Sequence, residues 1–231
     1  MFVIPCKYNP SYPFIIQLVD DIRKYHKDEK IVVVDSSSDD KSYLKILKNK
    51  YDVIVEDITN KNWMIGAYWY AYKKYPDEEF YYFMHDSMRV KDNLDYMKKD
   101  DLTILMYFDR RGNYDDWGEK IVKETKYEFY NYNGMGCYGP IFFCKNKVMK
   151  KMLDMKADII LPKTKKETWY CERCYGFFLE EQGYDMVKCA LYGDVFEIHS
   201  VRGKSGLAPH YTEWQYPIEK FYASYVDKKR L

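Results

Sequence analysis

The chain predicts an α/β fold, a doubly wound and mainly parallel sheet. Three observations carry that expectation. From Phe2 to Phe108 strand-like and helix-like segments alternate with short connections, the pattern of right-handed crossovers. Lys30-Ile-Val-Val-Val-Asp35 is an almost unbroken β-branched run, as in a parallel strand buried on both faces. Phe80-Tyr-Tyr-Phe-Met84 is apolar and aromatic and stops abruptly at His85-Asp86-Ser87. It reads as a buried strand that carries a carboxylate to its carboxyl edge, the edge where ligands bind in open α/β sheets.

The elements follow in order. Phe2 to Cys6 is a short apolar strand, and Ser11 with Pro13 starts a helix whose face is Ile15, Leu18, Val19, Ile22 and Tyr25. Lys30 to Asp35 is the second strand and Tyr51 to Val55 the third. Trp63 to Tyr75 is a helix closed by Pro76, with Ile65, Tyr68, Trp69 and Tyr72 on its apolar side. Phe80 to Met84 is the fourth strand and Leu102 to Phe108 the fifth. The polar stretch Asp109 to Gly118 reads as a loop. Beyond it the pattern becomes irregular: Gly139 to Cys144 as a strand, Val148 to Leu153 and Trp169 to Glu181 as helices, Val187 to Ile198 as one or two strands.

Composition bounds the function. With 231 residues, 47% of them hydrophobic, the chain can bury a full core as one unit. The 37 basic and 36 acidic residues leave a net charge of +1, which gives no global attraction to nucleic acid or an anionic membrane. An anionic ligand must therefore be held locally. The start Met1-Phe-Val-Ile-Pro5 has no secretory signal pattern, and no apolar run nears the roughly 18 residues that span a bilayer, so a cytoplasmic protein with no membrane span is expected. Six cysteines are then expected as free thiols. Cys171-Glu-Arg-Cys174 has C-x-x-C spacing but no second ligand pair; Tyr170, Cys174, Phe177 and Phe178 fall at helical spacing, which makes Cys174 a small core residue.

Three strand ends should emerge on one side of a parallel sheet: Pro5-Cys6-Lys7-Tyr8-Asn9, Asp35-Ser36-Ser37-Ser38-Asp39-Asp40 and His85-Asp86-Ser87. Read alone, the second is a solvated turn and helix cap. In this order and spacing, with Asn62 to Ala67 as a glycine-containing helix start, the set resembles the GT-A glycosyltransferases, especially the inverting family-2 type.

That resemblance implies a GT-A, Rossmann-like, mixed but mainly parallel sheet flanked by helices. It implies a single catalytic domain with a donor half, 1–108, and an acceptor half with its tail, 109–231. The activity it implies is transfer of a sugar from a nucleotide-diphosphate sugar, with UDP- or GDP-sugars as the donor class, to a hydroxyl of a carbohydrate or glycan acceptor. His85-Asp86-Ser87 stands where such enzymes carry D-x-D, with His and Ser replacing the flanking carboxylates. Asp86 then becomes the ligand of a divalent metal, Mn²⁺ or Mg²⁺, and the later His199 its partner. Pro5, Lys7, Asp35, Ser36, Gly66, His85, Asp86 and Ser87 would line the donor, and Arg202 and Lys204, in a glycine-spaced basic loop, would meet its phosphates. Glu172 would be the catalytic base, in a segment where the family carries Glu-Asp and this chain has Glu-Arg. Glu167 is the reserve. Gly139-Pro140 is similar to the acceptor-side segment, with Tyr138 beside it, and Trp117, Trp169 and Trp214 are candidate sugar platforms. A sugar nucleotidyltransferase is disfavoured because the first turn has no glycine-rich phosphate loop, and a non-catalytic nucleotide- or sugar-binding module stays as the alternative.

Overall fold

The computed structural model describes residues 1–6, 12–108, 124–125, 134–195 and 217–220. In chain order its elements open with β1 (Phe2–Cys6), α1 (Tyr12–Tyr25), β2 (Ile31–Ser36), α2 (Ser42–Tyr51), β3 (Ile54–Ile58), α3 (Trp63–Lys74), β4 (Phe80–Phe83) and β5 (Met88–Val90). They continue with β6 (Leu102–Ile104), β7 (Tyr107–Phe108), β8 (Gly136–Cys137), β9 (Phe142–Lys145), α4 (Asn146–Asp154), α5 (Lys165–Glu180), α6 (Met186–Cys189) and β10 (Ile218–Lys220). One six-stranded sheet runs β3-β2-β1-β4-β9-β6. β1 to β4 are mutually parallel, and β9 is antiparallel to both β4 and β6. The expected mixed, mainly parallel α/β sheet flanked by helices is what the chain forms.

The apolar runs explain why the sheet is covered on both sides. Along β1 and β2, Val3, Val32 and Val34 point to one core, shared with Tyr68 and Tyr72 of α3, Met149 of α4 and Phe178 of α5. Phe2, Ile4, Ile31 and Val33 point to the other, with Ile15, Leu18, Val19 and Ile22 of α1 and Leu47 of α2. Side chains alternate faces along a strand, so a run with no polar position needs an apolar layer on each side.

The strand boundaries differ from the sequence expectation in three places. The third strand lies at Ile54–Ile58, because Tyr43, Leu44, Leu47 and Tyr51 line a helix that Asp52, in left-handed backbone, brings to an end. The expected strand Leu102 to Phe108 is broken after Ile104: β7 leaves the main sheet to pair with β8. The expected strand region Val187 to Ile198 starts inside a helical turn, Met186–Cys189, capped by the Asp185 carboxylate, and continues with isolated bridges from Ala190 to Ile104 and from Asp194 to Tyr107; residues 196–198 lie outside the described residues.

Two details fix the site-bearing edge. Because β1 to β4 are parallel, their carboxyl ends emerge together, and antiparallel β9 begins there, with Phe142 paired to both Phe83 and Ile104. Just beyond the β4 turn, β5 is tied to α1: Arg89 donates through Nε and Nη2 to the two Asp21 oxygens, and Val90 N donates to Asp21 Oδ2. Among the described residues no helix is long and apolar enough to cross a membrane.

Candidate functional site

At the end of β2, Asp35 is fully buried. Its Oδ1 accepts from Ser38 N at 3.0 Å, and its Oδ2 accepts from the Tyr43 hydroxyl. The carboxylate therefore folds the Ser36 to Ser38 turn onto α2, with Ser37 in left-handed backbone at φ 66°. Ser36 Oγ accepts from Asn60 Nδ2 at 3.0 Å, beneath the surface of the same edge.

Asn60 organises the next connection. Its Nδ2 also donates to Trp63 O at 2.8 Å, and its Oδ1 accepts from Asn62 N at 2.8 Å, which holds Trp63 at φ 55° at the start of α3. Gly66 makes room for this: a Cβ there would fall 2.3 Å from Asn60 Oδ1. Gly66, expected along the donor, thus packs against Asn60. Asn62 Nδ2 reaches across to Pro162 O at 3.0 Å, linking this loop to the segment ahead of α5.

The β4 turn is anchored at several points. Tyr68 of α3 donates its hydroxyl to Met84 O at 3.2 Å. His85 N donates to Met88 Sδ at 3.1 Å, and His85 Nε2 lies 2.6 Å from Gly139 O in the turn ahead of β9. Asp86 and Ser87 follow, partly exposed.

Electrostatic coupling ties these residues together. Burial pushes the Cys6 thiol well above its ordinary range, and the nearby Asp86 and Asp35 carboxylates add to that. The Tyr68 phenol is raised first by burial and then by Cys137 and Asp86. Cys137 of β8 is raised by burial and by Glu172. Asp35 and Asp86 thus both act on Cys6 at the end of β1, Asp86 also on Tyr68, and Glu172 on Cys137.

Glu172 is delivered by α5. The helix starts where Thr164 Oγ1 accepts from Glu167 N at 3.3 Å and Glu167 Oε2 accepts in return from Lys163 N at 2.5 Å, a reciprocal cap. Glu167, the reserve acid, is spent on that cap. Four residues beyond Glu172, Gly176 sits directly against β8: a Cβ would fall 1.8 Å from Met135 O. The positions 169, 172 and 176 share one side of the helix, so Trp169, 57% exposed, stands one turn before Glu172. Arg173 is buried, at 2% exposure, as are Cys171 and Cys174, which are core residues with free thiols.

Pro5 is buried within β1, paired with Val34. Lys7, His199, Arg202 and Lys204, with Trp117 and Trp214, lie outside the described residues. Sequence reasoning gave no site role to Asn60, Tyr43 and Cys137, and read Tyr68 only as a core-facing helix residue. The one usable signal was Asn60-Lys-Asn62, a pair of amides just before a helix start. A cleft of about 630 Å³ lined by Lys24 to Lys30, Glu78 and Asp95 lies at the opposite edge of the sheet, among ion pairs such as Lys30–Glu78.

The fold resembles that of S. aureus TarS. One TarS crystal structure matches with a TM-score of 0.45 at 14% identity, over 77% of this chain and 33% of that one. TarS 1-349 in complex with UDP matches at 0.43 and 14%, over 74% and 53%. The same fragment in complex with UDP-GlcNAc matches at 0.40 and 16%, over 64% and 46%. The chain thus spans about a third of the first of these structures and about half of the shorter two. These likenesses concern the path of the chain and say nothing of its chemistry. No protein-family model and no curated protein matches the chain.

Among the described residues no group of three or more His, Cys, Asp or Glu side chains is placed to hold a metal ion. A single carboxylate on a phosphate-bearing ligand is nevertheless a normal setting for Mg²⁺ or Mn²⁺, which keep waters and take one or two protein carboxylates alongside substrate phosphates. Asp86 fits that donor set.

Proposed function

We propose that the chain is a glycosyltransferase that moves a sugar from a nucleotide-diphosphate sugar, of the UDP- or GDP-sugar class, to the hydroxyl of a carbohydrate acceptor with inversion at the anomeric carbon. The observation that supports the reading is that Asp86 follows the carboxyl end of β4, in a turn that His85 joins to Gly139 at 2.6 Å, while burial-raised Tyr68 and Cys137 carry contributions from Asp86 and from Glu172 respectively.

The two carboxylates divide the chemistry. Glu172 takes the proton of the acceptor hydroxyl as its oxygen attacks the anomeric carbon, which requires an ionised base within hydrogen-bond reach. The bond to the diphosphate breaks on the opposite face, and negative charge grows on the leaving phosphate. Asp86 would hold Mg²⁺ or Mn²⁺ against that phosphate, where a divalent cation supplies charge stabilisation. Asp35, Ser36 and Asn60 keep the β2 and β3 connections in shape on the donor side, and Trp169 offers an apolar face to an acceptor ring.

The test is a thermal-shift panel of nucleotide sugars with and without Mn²⁺, led by UDP-GlcNAc, followed by assay of nucleoside diphosphate release. A stabilising donor raises the melting temperature by mass action. Asp86→Ala should lose both the metal-dependent shift and turnover. Glu172→Gln should keep the shift and lose turnover by about 10²-fold or more, the contribution of a general base. Shifts with no turnover in the parent protein would favour a binding module, and no shift with any nucleotide would defeat both readings.

A further inference from the structure

We infer that His85 is a positioning residue for the reaction proposed above, a brace that sets the Asp86 turn against the Gly139 turn and so fixes Asp86 relative to the Glu172 side of the site. The carbonyl of Gly139 can only accept, so at 2.6 Å the Nε2 of His85 carries the proton and donates it. The contact joins two stretches 54 residues apart in sequence: the end of β4 and the turn that opens β9.

Both ends of the brace are built for it. On the β4 side, Met84 O is held by the Tyr68 hydroxyl and His85 N by Met88 Sδ, so the backbone enters the turn at a fixed angle. On the other side, Gly139 takes φ 63°, which disfavours any side chain, and an added Cβ would stand 3.2 Å from His85 Cε1. The turn is pinned by Tyr138 N donating to Met106 O at 3.1 Å and Ile141 N donating to Tyr138 O at 3.3 Å. The imidazole therefore lies flush on a glycine that has two independent reasons to be glycine. Cys137, which feels Glu172, is two residues before that carbonyl, and Asp86 is the residue after His85.

A side chain that replaces one carboxylate of a D-x-D-like turn thus has its Nε2 turned to the protein, and its neighbour inherits a fixed position. Misplacement of a reacting group by about 1 Å costs roughly 10²-fold in rate. Loss of the brace is expected to lower turnover through Asp86, with the imidazole touching no substrate atom through Nε2.

The experiment has a functional and a structural arm. In the first, UDP release from UDP-GlcNAc, or from whichever nucleotide sugar gives the largest thermal shift, is measured for His85→Ala, His85→Gln and Gly139→Ala. His85→Ala and Gly139→Ala should lower kcat roughly 10- to 100-fold, and His85→Gln, whose side-chain N–H reaches the same carbonyl, should recover most of it. Equal activity of His85→Ala and the parent, or His85→Gln no better than His85→Ala, overturns the inference. In the second arm, ¹⁵N-labelled protein is compared by NMR. The parent should carry a protonated Nε2 on His85. His85→Ala should move the amide signals of Asp86 and Ser87 together with those of Tyr138 and Gly139, and His85→Gln should restore them. Changes confined to one of the two turns overturn the brace. If no nucleotide sugar is turned over by the parent protein, the glycosyltransferase reading falls, and the NMR arm still decides the brace.

Discussion

His26 shows how one buried side chain writes a pH dependence into the fold. Its Nε2 accepts from Leu94 N at 3.0 Å, so the ring is neutral and carries its proton on Nδ1, 3.7 Å from Asp95 Oδ1. Burial lowers its pKa below the ordinary value of 6.5; Asp95 and Glu29 oppose that and Lys98 assists it, with burial prevailing. The unfolded chain therefore takes up the proton first as pH falls, and stability drops from near pH 6.5 until the folded pKa is passed. Urea denaturation between pH 7 and pH 5 should show a steeper loss in the parent than in His26→Gln, whose amide oxygen can still accept from Leu94. Equal slopes would remove His26 from the account. At this scale the candidate site was partly legible. Asp86 is singled out in sequence because a carboxylate ending an aromatic strand stands out, and the structure puts it in the turn that follows β4. The full burial of Asp35 was not legible, since it depends on Tyr43 and Ser38 closing over it.

Among the elements, α5 has the most exacting fit. It was expected to begin at Trp169 and begins at Lys165, because the Thr164 and Glu167 cap starts it a turn earlier. Its register against β8 is set where Gly176 meets Met135 and Gly136, with no room for a methyl group. Gly176→Ala should push the helix off β8, destabilise the protein by about 1–3 kcal/mol as overpacked sites do, and lower diphosphate release by moving Glu172. Both are measurable, by urea denaturation and by the assay above. A variant with parent stability and parent activity would mean that the helix adjusts freely. α2 illustrates what element-level reading missed. Tyr43, Leu44, Leu47 and Tyr51 have helical spacing, but the β-branched signal of Val53 to Val55 drew Tyr51 into a strand.

For the whole molecule, the decisive feature is that the two expected halves share one sheet. β9, from beyond residue 109, lies between β4 and β6, which both come from before it. A fragment of residues 1–108 would leave β4 and β6 without their common partner and expose Tyr81, Phe83 and Ile104, which pack in the core shared with Phe142 and Phe178. Such a fragment should unfold without a cooperative transition, checked by circular dichroism against the full chain. A sharp two-state melt would show that 1–108 is a domain by itself.

The sequence by itself determined the α/β class, the parallel strands β1, β2 and β4 with their shared carboxyl edge, and the helices α1 and α3. Those features depend on local periodicity and on apolar runs, which are readable wherever the chain meets them. Tertiary structure alone decided the antiparallel insertion of β9, the departure of β7 from the sheet, the diversion of Glu167 to a cap and of Gly66 to Asn60, and the meeting of His85 with Gly139. Each of these is a contact between segments distant in sequence, fixed by shape and by the need of buried polar groups for partners, and no local pattern encodes which partner is reached.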